Sequence, residues 1–153
     1  MKNMNGHYDE LNPVENDPLT EKIIGCAIKI HRVLGPGFLE NIYHQALAHE
    51  LNKGGLSYVS EARMKVIYDG IVLGDYVADF LVEKRVVVEL KAVEVLVKTH
   101  EIQLVNYLCA VKCDLGLLIN FGGSKIQVKR KYRELNRSGL TSVEPHVLHV
   151  PPV

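Results

Sequence analysis

Apolar residues recur along this chain with two different periods, and each period predicts a different kind of element. In the first third of the chain, a spacing of three to four residues predicts two helices. The first helix has Thr20 as its N-cap and ends at the turn Leu34-Gly35-Pro36-Gly37, and the second ends at Gly54-Gly55. Their predicted core faces are Ile24, Ala27, Ile28 and His31 in the first helix, and Leu39, Ile42, Ala46 and Leu47 in the second.

After the second helix the pattern changes to alternation and short apolar runs, which predict β-strands. Three antiparallel strands are predicted at Leu56 to Tyr68, Ile71 to Val82 and Arg85 to Lys91. A third helix at Lys98 to Lys112 is followed by two further strands, Leu115 to Phe121 and Lys125 to Arg133. In the third helix, we expect an inward face of Ile102, Val105, Leu108 and Cys109, beside a stripe of His100, Gln103 and Tyr107. The predicted fold is therefore α/β, in the order helix, helix, three strands, helix, strand, strand.

The two ends of the chain lack such periodicity. Residues 1–18 are polar, and residues 134–153 include Pro145, Pro151 and Pro152, so we expect a flexible N-terminal arm and a C-terminal tail. Between them, residues 19–133 are expected to form one domain, since 47% of the 153 residues are hydrophobic. We expect a cytoplasmic protein, because residues 1–18 lack a signal peptide's apolar region and no later run is long enough to span a bilayer.

Charge and cysteine usage narrow the classes of function only slightly. Basic and acidic residues both number 18, so any basic surface for nucleic acid must be local. One face of the last strand is basic, and a solvated sheet edge is favoured there over a phosphate track. That face consists of Lys125, Gln127, Lys129, Lys131 and Arg133. Cysteine spacing indicates reduced buried thiols, and a zinc site at Cys109 and Cys113 would lack an obvious third or fourth ligand.

Candidate chemistry lies in the second and third strands, where Asp79, Glu89 and Lys91 interrupt apolar runs that read as buried on two sides. A turn at residues 83–85 sets Asp79 opposite Glu89, with Cβ atoms about 4.5–5.5 Å apart. Two carboxylates that close in a half-buried site require a proton or a cation, and Mg²⁺ fits. Lys91 lies on the Glu89 face, where it could hold an attacking water or offset phosphate charge. The alternative is a charge-satisfied ion cluster at a sheet edge.

Strict alternation also assigns the faces of these two strands. It predicts one face with Val77, Asp79 and Leu81, and the other with Ala78, Phe80 and Val82. In the third strand it sets Val87, Glu89 and Lys91 against Val86, Val88 and Leu90.

Asp79 followed by Glu89-Leu90-Lys91 resembles the metal site of the PD-(D/E)XK nuclease superfamily. The element order also resembles the αβββαβ core of that restriction-endonuclease-like fold with its mixed sheet, extended by an N-terminal helix and a C-terminal strand. Gly37-Phe38-Leu39-Glu40-Asn41-Ile42-Tyr43 resembles the small prokaryotic family named for the motif G-x-x-E-x-x-Y. The resemblance continues through His100-Glu101-Ile102-Gln103-Leu104 and residues 117–122, and it covers Leu19 to Tyr132.

The resemblance implies roles for individual residues. Metal, either Mg²⁺ or Mn²⁺, would be held by Asp79, Glu89 and the first-helix acid Glu40. Lys91 would be the active-site lysine, and Gln103 with Tyr107 would be the Q-x-x-x-Y pair of exonuclease-like members. Val77 departs from the family, in which a basic residue often precedes the Ala-Asp pair. Read without the resemblance, Glu40 is a first-turn surface acid, Tyr107 fills the core and Gln103 is solvated.

We therefore expect a Mg²⁺- or Mn²⁺-dependent phosphodiesterase acting on nucleic acid, with DNA favoured over RNA. No membrane partner is expected, no residue is assigned to an organic cofactor, and a homodimer is compatible with the sequence. One alternative is a nucleic-acid-binding or protein-interaction module that keeps the fold without turnover. Another is a metal-dependent hydrolase of small nucleotides, because the chain carries no separate DNA-reading domain.

Overall fold

The computed structural model describes residues 17–133, which form a mixed five-stranded sheet with helices on both faces. The predicted arm and tail lie outside these residues, apart from Asp17 and Pro18. The elements are α1 Pro18–Leu34, α2 Glu40–Lys53, β1 Tyr58–Tyr68, β2 Ile71–Val82, β3 Val86–Lys91, α3 Lys98–Val111, β4 Leu115–Asn120 and β5 Gln127–Tyr132. This order confirms the predicted restriction-endonuclease-like α/β fold. Within the described range, no helix is both long and apolar enough to cross a bilayer.

The strands lie in the sheet in sequence order, β1-β2-β3-β4-β5. Neighbours are antiparallel except β3 and β4, which run parallel and are joined by α3 as a crossover helix. One core cluster lies between α1, α2 and the sheet, and a second lies between α3 and the opposite face. Because β3 and β4 are covered on both faces, their sequences read as nearly continuous apolar runs.

Helix α1 begins two residues before the predicted N-cap. Asp17 is the N-cap, with its carboxylate accepting from the Leu19 N–H at 2.8 Å, and Pro18 follows at the start of the helix. Thr20 lies inside the helix, and its hydroxyl donates to the Asp17 carbonyl. The predicted core face was wrong in part: Ala27 is buried, but Ile28 is 40% exposed, and the buried apolar face is Leu19, Ile23, Ala27 and Ile30.

The predicted core faces of α2 and α3 are also rotated relative to the observed ones. In α2, Leu39 is 80% exposed and precedes the helix, and Ile42 is 43% exposed. The buried stripe of α2 is Tyr43, His44, Leu47 and Leu51. In α3, Ile102 is exposed and Leu104 takes the inward position with Leu108 and Cys109. Tertiary anchors decide these rotations, since the stacking of Tyr43 on Phe121 turns α2 toward the sheet.

Strict alternation in β2 breaks at Asp79. Ala78 packs with Leu81 on the α3 side of the sheet, whereas Phe80 packs on the α1 and α2 side. In β1, the residue between the pairs Ser60↔Phe80 and Ala62↔Ala78 is Glu61, which has a left-handed φ of 52°. Two side chains that alternation would separate therefore share one face, and the predicted grouping of β2 residues was wrong.

Burial in β2 is also less than predicted. Val77 is 44% exposed and residues 71–75 are exposed, so β2 enters the core only from Tyr76 onward, with Val77 itself still exposed. The two-sided burial predicted for β3 is confirmed for its apolar residues.

The basic strand β5 lies at a sheet edge, as predicted. Two cations of the predicted basic face are paired with acids: Lys131 of β5 with Glu101 at 2.7 Å, and Arg133, just after β5, with Asp114 at 2.7 Å; Lys129 is exposed, as predicted for a solvated edge. This pairing reduces the basic surface that the strand offers to a phosphate backbone.

Candidate active site

The candidate site lies where β2 and β3 part. The predicted register is confirmed, with Val82 opposite Val86 and Phe80 opposite Val88, and the described pairing ends there. The Leu90 N–H donates to Asp79 Oδ2 at 2.7 Å, so a side-chain oxygen takes the place of a strand carbonyl. Asp79 and Glu89 are therefore neighbours at the opening between the strands, although they are not a pair of the regular ladder.

Glu89 and Lys91 project to the α3 side of the sheet, as alternation in β3 predicts. They line an open cleft of about 290 Å³ together with residues of β2, α3 and β4. The other lining residues are Tyr76, His100, Gln103, Leu104, Tyr107 and Leu118. Glu89 and Lys91 are thus half-buried side chains that border open space.

The pKa of the Glu89 carboxyl group lies close to neutral pH. Burial raises the pKa of Glu89 to about 7; the hydrogen bond that Oε1 accepts from the Tyr76 hydroxyl lowers it, and the negative charge of Asp79 raises it. Burial and the adjacent Glu89 charge raise the pKa of the Tyr76 phenol, so this hydroxyl remains a donor. A cation bound nearby would therefore strongly stabilise the charged form of Glu89.

Glu40 reaches the same site from the other side of the sheet. It is the first residue of α2 and remains accessible to solvent. Partial burial raises the pKa of Glu40, the negative charge of Asp79 raises it further, and Lys91 lowers it. Asp79 lies where the alternation of β2 breaks, a position that we call the face switch. This position explains how one carboxylate influences acids on both sides of the sheet.

Gln103 and Tyr107 lie along the mouth of the cleft, on the same side of the sheet as Glu89. Gln103 is exposed at this mouth. Tyr107 is 38% exposed and stacks on Tyr76, with ring centroids 4.0 Å apart and planes at 8°. The predicted stripe of α3 thus lines the same cleft as Glu89. The roles of Gln103 and Tyr107 remain predictions.

Several residues of the site were missed by sequence reasoning. Tyr76, which contacts Glu89, was missed because strict alternation hides the change of face at Asp79. His44 lies one helical turn after Glu40 on α2, and this spacing was an available signal. His100 was placed on the correct stripe of α3 but was given no role.

The donor chemistry fits a hard divalent cation such as Mg²⁺. Glu40, Asp79 and Glu89 supply carboxylate oxygens, and the Asp79 charge raises the pKa of the other two. As the chain is arranged, Oδ2 of Asp79 and Oε1 of Glu89 accept protein hydrogen bonds. Within residues 17–133, no three His, Cys, Asp or Glu side chains form a ready-made metal cluster.

Fold and site together define a class: an α/β protein in which a parting strand pair places Asp79 beside Glu89, with Glu89 and Lys91 lining an open cleft. A family model described as the PD-(D/E)XK nuclease superfamily matches residues 17–132, and the chain belongs to this superfamily.

Comparison with solved structures supports the fold assignment. The chain is similar to a structure described as "Crystal structure of SSO0001", with 21% identity and a TM-score of 0.51. The match covers 65% of this chain and 52% of the other, so this chain spans about half the length of that relative. No curated protein matches the chain.

Proposed function

We propose that this chain is a Mg²⁺- or Mn²⁺-dependent nuclease that hydrolyses phosphodiester bonds in DNA. The observation that carries the proposal is the convergence of Asp79, Glu89 and Lys91 at the opening between β2 and β3. A purely structural ion cluster would place its charges against one another away from a cleft. Here the carboxylates repel, and Glu89 and Lys91 line an open cleft.

Each residue has a distinct role in this proposal. Asp79, Glu89 and Glu40 would hold the metal, which when bound would supply Lewis-acid chemistry to the phosphodiester. Lys91 presents its ammonium to the same phosphate, where it stabilises the negative charge that develops during attack. Gln103 donates a hydrogen bond to a phosphate oxygen or an attacking water. Tyr76 orients Glu89 through its hydroxyl, and the Leu90 N–H orients Asp79.

Cleavage assays test the activity directly. Purified protein is incubated with linear, nicked, branched and single-stranded DNA and with RNA, with and without Mn²⁺. Lys91→Ala should lower kcat by about a hundredfold or more, because the lost charge matters most in the transition state, while substrate affinity stays within a few fold. Lys22→Ala, an exposed lysine on α1, is the matched control and should retain activity. Metal-independent cleavage, or a loss confined to affinity in Lys91→Ala, would contradict the proposal.

A second candidate is a protein-interaction module that keeps the fold without turnover. The observation that favours it is a group of exposed apolar side chains near the turn of the β1–β2 hairpin: Tyr68, Ile71, Val72 and Leu73. Protein that binds Mn²⁺ but cleaves none of the substrates would favour this candidate.

Three broader proposals accompany the activity. Residues 19–133 form the nuclease domain between an arm and a tail, which limited proteolysis with mass spectrometry would test. The protein acts in the cytoplasm, which fractionation of the source cells would test. A homodimer is compatible with this proposal, and sedimentation equilibrium would test it.

A further inference from the structure

His44 is a polar ring placed in an apolar core face. It lies one turn after Glu40 on α2, is only 8% exposed, and stacks on Phe80 with ring centroids 4.3 Å apart. A buried imidazole needs partners for its nitrogens. Its surroundings therefore indicate what the ring does.

The two ring nitrogens of His44 face two different strands. Nε2 lies 2.7 Å from the Ser60 hydroxyl on β1, and Nδ1 lies 3.5 Å from Asp79 Oδ1 on β2. The other carboxylate oxygen of Asp79 accepts from the Leu90 N–H on β3. Asp79 is thus approached by α2 at one oxygen and by β3 at the other.

The chemistry of these partners selects one tautomer. An ionised carboxylate can only accept hydrogen bonds, so the proton of a neutral His44 belongs on Nδ1, facing Asp79. Nε2 is then an acceptor, and the Ser60 hydroxyl donates a hydrogen bond to it. This tautomer gives Nε2 a donor in Ser60 and directs the Nδ1 proton toward Asp79 Oδ1, 3.5 Å away.

We propose that His44, held by Ser60, is a positioning residue that fixes the orientation of the Asp79 carboxylate toward the candidate metal site. The expected effect on metal binding rests on the proposed function, because metal binding there requires a correctly oriented Asp79. Groups that orient a metal-binding side chain typically contribute 10- to 100-fold to metal affinity. Loss of His44 should therefore weaken Mn²⁺ binding while leaving the DNA concentration for half-saturation within a few fold.

The tautomer can be measured without any activity. Two-bond nitrogen–proton NMR correlations on the ¹⁵N-labelled full chain, recorded without metal at a pH where the ring is neutral, identify which nitrogen of His44 carries the proton. We expect the Nδ1–H form. An Nε2–H form would overturn the proposal, because Asp79 would then face an acceptor.

Two substitutions separate the two nitrogens in function. The amide nitrogen of Asn at position 44 takes a place near Nδ1, whereas that of Gln takes a place near Nε2. Mn²⁺ titration calorimetry should show a loss of about 10- to 100-fold in affinity for His44→Gln and only a few fold for His44→Asn. His49→Asn, at an exposed position of the same helix, is the control and should bind as the wild type does. Equal affinities in His44→Gln and wild type would contradict the proposal.

The outcomes also separate this inference from the proposed function. If the wild type neither binds Mn²⁺ nor cleaves DNA, the nuclease proposal fails, and the NMR tautomer still decides the contact between His44 and Asp79. If His44→Gln does not fold, as thermal melting would reveal, Ser60→Ala serves instead, because it leaves the ring in place. Ser60→Ala should shift the His44 population toward Nε2–H and weaken Mn²⁺ binding; an unchanged tautomer together with unchanged binding would overturn the proposal.

Discussion

At the scale of single residues, the site is organised by the position of Asp79 at the face switch of β2. Its carboxylate binds the Leu90 N–H, raises the pKa of Glu89 on the α3 side and raises the pKa of Glu40 on the α2 side. A regular strand would direct the same side chain to one face only. The irregularity is therefore what lets the Asp79 charge act on Glu89 on one side of the sheet and on Glu40 on the other.

Glu89 should make the stability of the protein depend on pH. Its pKa in the folded chain is about 7, above the ordinary 4.5, so the folded state binds the proton more tightly than the unfolded state does. The free energy of unfolding should therefore fall as the pH rises from about 4.5 to about 7. Urea denaturation of wild type and Glu89→Gln across this range, in metal-free buffer, measures the difference. A difference that does not vary with pH would contradict the assignment.

Gln103 should affect activity far more than stability. Gln103→Ala removes an exposed amide at the cleft, so activity should fall by about 10- to 100-fold while the fold loses at most about 1 kcal/mol. Gln45→Ala, an exposed amide on α2, is the matched control. Steady-state kinetics and thermal melting check both values. Parallel losses in stability and activity would instead assign Gln103 a structural role.

Part of this residue-scale arrangement follows from the sequence. The register of β2 and β3 could be predicted, because a short turn fixes which residues lie opposite one another. The face switch could not, because it coincides with a left-handed φ at Glu61 in the paired strand, which hydrophobic periodicity does not encode. The contacts of Tyr76 and His44 depend on that switch and were missed with it.

At the scale of elements, Tyr43 fixes the start of α2. Its hydroxyl donates to the Gly35 carbonyl at 2.6 Å and accepts from the Phe38 N–H at 3.2 Å, while its ring stacks on Phe121 at 4.6 Å. The tyrosine of the G-x-x-E-x-x-Y motif is thus a buried anchor for the turn that precedes Glu40. The motif joins an acid of the site to the residue that holds its helix in place.

Tyr43→Phe should loosen this turn while keeping the aromatic stack. Two partly buried hydrogen bonds are lost, so the free energy of unfolding should fall by about 1–3 kcal/mol. Amide exchange of residues 35–39 should become faster. Tyr58→Phe, which loses an exposed contact with Asn52, is the control and should cost less. Denaturation and hydrogen exchange measure these effects, and a Tyr43→Phe variant as stable as the wild type would contradict the anchoring role.

Element order was more predictable than element orientation. Turn residues such as Gly35 and Gly70 adopt positive φ, and they mark element ends that the sequence displays directly. The rotation of each helix is decided by side chains distant in sequence, as for Tyr43 on Phe121. Predicted core faces were consequently displaced around the helix axes, although the helices themselves were confirmed.

At the scale of the whole molecule, the topology places the site at the carboxyl end of the central strand, β3. β3 carries Glu89 and Lys91 at its carboxyl end, and the α3 crossover returns beside it to parallel β4. Open α/β sheets commonly bind ligands at the carboxyl ends of their strands. Helices on both faces contribute to the site, since α2 brings Glu40 and α3 brings Gln103. This arrangement follows from the order of elements, so the sequence could predict it.

The central claim is that these carboxylates bind a divalent metal, and Mn²⁺ titration calorimetry tests it most directly. Wild-type protein should bind Mn²⁺, and Asp79→Ala should not, because Asp79 is the carboxylate common to both sides of the site. Asp75→Ala, on the same strand and paired with Arg63 at 3.0 Å, should bind as the wild type does. Equal Mn²⁺ binding by wild type and Asp79→Ala would contradict the assignment of the metal site.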